Sequence, residues 1–310
     1  MSKLDSVFMC VLFTCLTFTF TSSVTSTFFK LARGYKMTGT TPLSHVTSSP
    51  MSSVFCSLLC TYECSSATYS IKYQTCTTFK EKFYNSSITW TKNEDWYMLY
   101  RDEPIQYGDW TLVFRAQSGI DVSFYTLWET IGYHDDLPLS SDFPIGCYRM
   151  DNMERCSRHF RGSVLDDWTN INQVKVSLFS NGSEVVYMIF NGSSSTRDTW
   201  YQQTLILESS WTLLRNDSNV VDFNFQGFLW SGNNRRMVIC GQYSGCGGDS
   251  TYYMALDSTY DACLDTWSLA IPNFPVFLYS PWNRLVTLSS QPTEYKMADV
   301  MAIFVKKQTV

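Results

Sequence analysis

Eleven cysteines dominate the reactive side chains of this sequence, with three histidines and a few adjacent carboxylates beside them. A thiol can act as nucleophile, metal ligand or disulfide partner, and spacing and compartment decide which. Cys10 and Cys15 fall inside an apolar N-terminal run, which leaves Cys56, Cys60, Cys64, Cys76, Cys147, Cys156, Cys240, Cys246 and Cys263. His45, His134 and His159 have no thiol or acidic neighbours at metal-ligand spacing, so no metal site is expected. Cys240 and Cys246 sit as C-x5-C. That spacing imitates half a metal knuckle, but in an oxidising compartment a disulfide is the expected fate. Asp135-Asp136 and Asp166-Asp167 are adjacent in sequence. Such neighbours cap helices or face solvent, whereas acid–base work needs shifted pKa values in a cleft. No HExxH, GxSxG, Walker or GxGxxG pattern occurs. A non-catalytic protein without a cofactor is therefore expected.

The compartment follows from the first 26 residues. Lys3 precedes an apolar run over 7–20, and small polar residues (TSSVTS) follow. A run of that length suits a signal-peptide core better than a membrane span. Residues 1–26 are read as a signal peptide cut between Ser22 and Ser26; an uncut signal anchor is the alternative. The mature chain is expected outside the cell, secreted and not integral to a membrane. Sequons for N-glycosylation at Asn85, Asn181, Asn191 and Asn216 fit that route and mark surface loops. Charged residues make up 16% and hydrophobic ones 45%, so the chain is globular. Its net charge of −5 and the absence of any long Lys/Arg cluster exclude nucleic acid as a partner class.

The cysteines need elements to hold them. Residues 27–45 are polar with little periodicity. Ser49-Pro50 has the form of an N-cap and first helical residue. Met51, Val54, Phe55, Leu58 and Leu59 then recur at helical spacing, with Cys56 and Cys60 on one face. Residues 66–73 and 75–79 predict a strand pair, with Cys64 ahead of the first and Cys76 inside the second. Residues 46–80 thus form a stapled helix-plus-hairpin unit whose core is too small to stand alone. A linker over 81–104 leads to a larger region over 105–310. There, residues 109–116 predict a strand, and 121–131 a helix with Val122, Tyr125 and Trp128 at helical spacing. Residues 174–179 and 185–190 predict a hairpin turned at Asn181-Gly182. Further strands are expected at 204–207, 237–240, 252–256, 277–279 and 300–305. Cys147 and Cys156, nine apart, are expected to close a local loop. One of Cys240, Cys246 and Cys263 is then left over: either a buried thiol, or a link to a second chain in a disulfide-bonded homodimer. The fold class is β-rich α+β: a small stapled module followed by a larger, mostly antiparallel β domain.

The helix with two cysteines four apart, a third soon after and a fourth on a later strand resembles the PAN/apple module. By position, that resemblance implies bridges Cys56–Cys76 and Cys60–Cys64, and a module that binds protein or carbohydrate. The outer cysteine pair of the longer apple form is absent. The later order of parts (DWTLVFRAQSG, then SFYTLW, then MADVMAIFVKK) resembles fibrinogen-C-terminal and intelectin-like lectin domains. The acidic calcium loop of that family is not recognisable, and Asp249 alone cannot make a calcium site.

Two functions are compatible with these readings. In the first, the chain recognises glycans or extracellular glycoproteins. Tyr252, Tyr253, Trp267 and Trp282 then supply stacking rings and Asp249 a polar partner, although core packing competes for each ring. In the second, the chain is a structural component of an extracellular matrix or secreted surface.

Overall fold

A computed structural model describes residues 29–39, 41–47, 49, 52–60, 63–85, 87–101, 104–136, 144–151, 156–227, 233–241, 245–269, 273–289 and 294–308. The expected signal peptide and its cleavage site lie outside the described residues, as does Pro50. Strand takes 44% of the chain against 10% helix, and the sheets are mostly antiparallel, so the fold is β-rich.

The first sheet is built from β1 (Phe29–Thr38), β2 (Ser44–Thr47), β3 (Ser66–Ser70), β4 (Thr75–Phe79) and β5 (Thr89–Arg101), in the order β1-β5-β3-β4-β2. Two expectations are corrected by it. The segment read as a linker over 81–104 contains β5, which pairs with both β1 and β3. The polar stretch over 27–45 contributes β1 and part of β2. Period 2 explains β5. Met98 and Tyr100 point into the core shared with the next sheet, while Tyr97 and Leu99 point to the opposite face. Only its C-terminal half alternates in this way; its start, TWTKNED, is polar and reads as a linker.

Helix α1 (Ser53–Leu59) lies on that opposite face, against Ala67, Tyr69 and Leu99. Its N-cap is Ser52, whose Oγ accepts from Phe55 N at 3.1 Å, not the expected Ser49. Phe55 is exposed, so it is not part of the apolar face. Disulfides Cys56–Cys76 and Cys60–Cys64 fasten the helix to the sheet and close its C-terminal turn.

The second sheet receives β6 (Gln106–Tyr107), β7 (Trp110–Gln117), β8 (Phe160–Arg161), β9 (Ile171–Ser180), β10 (Ser183–Asn191) and β11 (Ile206–Ser209). At the β9–β10 turn, Asn181 and Gly182 both have positive φ, 49° and 77°, as a tight two-residue hairpin requires. Helix α2 (Phe124–Glu129) is shorter than the periodicity over 121–131 predicts, and Val122 and Ile131 are exposed. Residues 203–205 form a 3-10 turn, so β11 starts two residues later than expected.

The third sheet consists of β12 (Asp222–Asn224), β13 (Asn233–Cys240), β14 (Ser250–Asp261), β15 (Val276–Tyr279), β16 (Val286–Thr287) and β17 (Lys296–Ala298). The last strand, β18 (Val300–Lys307), returns to the second sheet between β9 and β7. It is buried on both faces. Met301, Ile303 and Val305 enter the core facing the third sheet, and Val300, Ala302 and Phe304 enter the core facing the first. A strand covered on both sides needs a continuous apolar run, and VMAIFV supplies it. The three sheets are therefore stacked with the second in the middle. The stapled unit is not a separate bead: Phe79, Met98 and Tyr100 share one core with Leu112, Tyr148 and Phe304.

Candidate functional site

The five residues expected to hold a ligand do not converge. Tyr253 is fully buried between the second and third sheets, its hydroxyl against Met301 Sδ at 2.9 Å. Tyr252 is also buried, and its hydroxyl donates to Asp217 Oδ2 at 2.7 Å. Asp249 is paired with Arg235 at 2.8 Å, and Arg235 also holds Asp261 at 2.7 Å. Trp267 lies under the same guanidinium at 4.5 Å, and its Nε1 donates to Cys246 O. Four of the five are thus core residues, and core packing is what their aromatic and charged groups do here. Trp282 is the exception, exposed to 54%.

The odd cysteine is identified. Cys147 pairs with Cys156 and Cys246 with Cys263. Cys240 carries the remaining thiol, fully buried, with Sγ 3.6 Å from Thr251 Oγ1. Cys240 packs beside Val238 and Leu278, so a link from it to a second chain would require opening that core.

The adjacent carboxylates have structural partners. Asp135 accepts from Arg161 N and pairs with Arg158; Asp136 accepts from Ser163 N at 2.7 Å. Asp166 pairs with the buried Arg161 guanidinium at 2.6 Å. Desolvation opposes ionisation of Asp166, but the Arg161 bond and the Gly132 N–H outweigh it and hold the carboxyl below its usual range. For Asp136, burial prevails and pushes the carboxyl up. Among the described residues, no group of three or more His, Cys, Asp or Glu side chains is placed to hold a metal ion.

The recess with stacking chemistry lies elsewhere, where the first and second sheets meet. It is a groove of about 490 Å³. Tyr107 on β6, Trp110 on β7 and Phe179 on β9 are half-buried and line it. Tyr107 is braced by Phe304 at 5.6 Å and Tyr84 at 5.5 Å, and Lys306 lies 4.7 Å over the Trp110 ring. Burial raises the Tyr107 phenol far above its ordinary range, so it remains a neutral donor. Lys82, Lys175, Asp151 and Glu184 supply the charged lining, and Asn85 and Gln106 add amides. Lys175 pairs with Glu184 at 2.7 Å. Asp151 accepts from the buried Arg149 Nε at 2.9 Å. Behind them, Arg115 is lowered to about 10 by burial, with Tyr107 and Asp151 opposing the shift. The pairs Lys175–Glu184 and Arg149–Asp151 thus offset charge at the groove, a setting suited to neutral polar ligands.

A second recess, about 880 Å³, has a mixed lining that includes Leu213, Val221 and Leu285. Asp217, Asn219, Asn283 and Arg284 line it, and Trp282 precedes Asn283 in the chain. Asn283 is engaged in the wall, accepting from Leu213 N at 3.2 Å and donating to Thr212 Oγ1 at 2.7 Å. Its aromatic lining residue, Tyr252, has no exposed face.

Sequence reasoning missed the groove because its walls come from the segment taken as a linker and from strands far apart in the chain. Two rings flanking Gly108-Asp109, Tyr107 and Trp110, were the available signal. Asn85 lines the groove and Asn216 the second recess. Asn85, Asn181 and Asn216 are exposed, and Asn191 is partly so. No protein-family model matches the chain, and a search of curated proteins finds no match either.

Proposed function

We propose that this protein is a secreted glycoprotein that binds neutral glycans or glycoproteins without transforming them, through the groove between the first and second sheets. The observation that carries the reading is the set of half-buried rings, Tyr107, Trp110 and Phe179, beside the ion pairs Lys175–Glu184 and Arg149–Asp151. A sugar presents an apolar ring face and a girdle of hydroxyls, and such a lining meets both. The disulfides and exposed sequons support the oxidising export route. A helix stapled onto a five-stranded sheet supports a PAN/apple-like first module, and the stacked sheets that follow suit a lectin-like body. A binding role also suits the carboxylate pairs, which serve buried ion pairs and turn contacts.

A glycan array probed with micromolar protein tests this. Binding is expected, and Trp110→Ala is expected to abolish it while leaving the circular dichroism spectrum unchanged. An array without a binder, or binding indifferent to Trp110, overturns the assignment. A second reading, a structural component of an extracellular layer, is favoured by one observation: a sequon asparagine lines each of the two recesses, where attached sugars would cover them. Incorporation of the protein into an insoluble matrix, seen by immunostaining, supports that reading.

A further inference from the structure

The groove carries its own candidate occupant on its lip. Asn85 lines it together with Trp110 and Tyr107, and Asn85-Ser86-Ser87 is a sequon. The asparagine is held in a tight turn: its N–H donates to Lys82 O at 2.9 Å and its carbonyl accepts from Ile88 N at 3.1 Å. The turn is anchored in the core on both sides, by Phe83 and Tyr84 before it and Ile88 after it. The side chain is oriented too. Oδ1 accepts from Ser87 N at 3.0 Å and Ser87 Oγ at 3.1 Å, while Nδ2, the atom that carries a glycan, makes no hydrogen bond among the described residues. A sugar attached there starts from a hydrogen-bonded asparagine on the lining of an aromatic groove.

We propose that the N-glycan on Asn85 folds back into this groove and gates it, so that the core N-acetylglucosamine residues stack on Trp110 and Tyr107 and compete with external glycans. The inference rests on the binding role proposed for the same groove. A short tether gives its ligand an effective concentration on the order of millimolar. Protein–sugar contacts of one or two rings are weak, so a tethered sugar at that concentration outcompetes dilute external ones. Only a ligand with more contacts than the core disaccharide displaces it. Which glycoform the cell installs at Asn85 then sets the affinity for everything else. The sequon at Asn191 provides the contrast. It lies at the far end of β10 from the Gly182 turn that borders the groove, so a glycan there leaves the groove open.

The test uses the full secreted chain from a eukaryotic host, with occupancy at Asn85 measured by glycopeptide mass spectrometry. Asn85→Gln and Ser87→Ala each remove the glycan by a different route, and Asn191→Gln is the control. Enzymatic deglycosylation of the folded Asn181→Gln protein, which lacks the sequon beside Gly182, covers the case in which either groove variant fails to be secreted. The probe is N,N′-diacetylchitobiose, titrated by calorimetry. The unglycosylated groove is expected to bind it about tenfold more tightly than the fully occupied protein, and Asn191→Gln to match wild type. Hydrogen exchange over 106–112 is expected to be slower when Asn85 carries its glycan. An unoccupied Asn85 overturns the gate, and so does equal exchange together with equal chitobiose affinity in both forms. The two proposals fail differently. If the attached glycan protects 106–112 but the bare groove binds nothing on an array, the folded-back glycan stands as the groove's occupant, while the external-glycan role and the competition with it fall. If array binding is strong and identical with and without the Asn85 glycan, the role stands and the gate falls.

Discussion

On the outer face of the first sheet, helix α1 packs on Ala67, Tyr69, Leu99 and the sulfurs of Cys56, Cys60, Cys64 and Cys76. Between the second and third sheets, the core consists of Trp128, Trp200, Phe190, Phe277 and their aliphatic neighbours, with no cysteine among its buried residues. The contrast follows from geometry. A seven-residue helix covers too little area to hold itself down, and an exposed Phe55 reduces that area further. Covalent bonds compensate by limiting the unfolded chain, not by enlarging the core. Two facing sheets bury whole aromatic side chains and need no such staple. The stapled layer is therefore expected to loosen locally, and the sandwich to unfold as a unit.

The sharpest break of that comparison is at Trp200. It is fully buried, donates from Nε1 to Arg197 O at 2.7 Å and meets Phe190 at 5.3 Å and Phe225 at 5.7 Å. Trp200→Ala is expected to cost about 4 kcal/mol and to shift the whole denaturant transition. A loss below about 1 kcal/mol would mean that the sandwich core is not the cooperative unit. Next comes the pair Cys56→Ala and Cys76→Ala, which opens a loop of 20 residues. The expected cost is about 3 kcal/mol, read as lost hydrogen-exchange protection in α1 and β3 with β9 and β18 still protected. Equal loss of protection in β9 and β18 would show that the two regions are one folding unit.

How far the fold can be read from the residues also differs between the regions. The hairpin at Asn181-Gly182 and the apolar strands around it are legible, because turn chemistry and alternation agree over long stretches. β5 is not, since half of it is polar and its pairing with β1 is set by tertiary contacts. The ligand residues were misplaced for a related reason. Tyr252, Tyr253 and Trp267 are chemically equal to binding rings, and only burial tells the two uses apart. Composition cannot report burial. Nor can spacing show that Asn85, Trp110 and Phe179 border one groove, because a loop after β4, the start of β7 and the end of β9 bring them together.

A pH scan sharpens the comparison at the seam where the sandwich meets the Cys147–Cys156 loop. His159 accepts from Gln117 N at Nδ1, 3.0 Å, and faces Val122 O through Nε2 at 2.8 Å, so the neutral ring with Nε2–H fits both contacts. Burial, helped by the Arg115 charge and opposed by the Val122 bond, lowers it from 6.5 to about 4. The unfolded chain therefore takes up a proton that the native state refuses. Stability is expected to fall as pH drops from 6.5 to about 4, by up to about 3 kcal/mol, and to level off below. His159→Gln should flatten that slope in denaturant titrations across the same window. An unchanged slope would place the acid sensitivity elsewhere.

The smallest effects come from the two helix caps, and they too separate the regions. Ser52 accepts from Phe55 N on an exposed turn, and water replaces that bond easily. Ser52→Ala is expected to cost about 0.5–1 kcal/mol. Ser123 accepts from Thr126 N at 3.0 Å and also donates to Asp257 Oδ2 at 2.5 Å, while Asp257 takes Phe124 N at 2.8 Å. Burial raises the Asp257 carboxyl, and the Ser123 hydroxyl is one of the bonds that restrain the rise. Removing it leaves a buried carboxylate short of a donor, so Ser123→Ala is expected to cost about 2 kcal/mol at neutral pH. An acid whose folded-state pKa is raised gains stability as pH falls through that pKa. The Ser123→Ala deficit should therefore shrink on acidification as Asp257 takes up its proton, while the Ser52→Ala deficit stays flat. Parallel pH profiles for the two variants would show that Ser123 acts as a helix cap alone and that Asp257 does not depend on it.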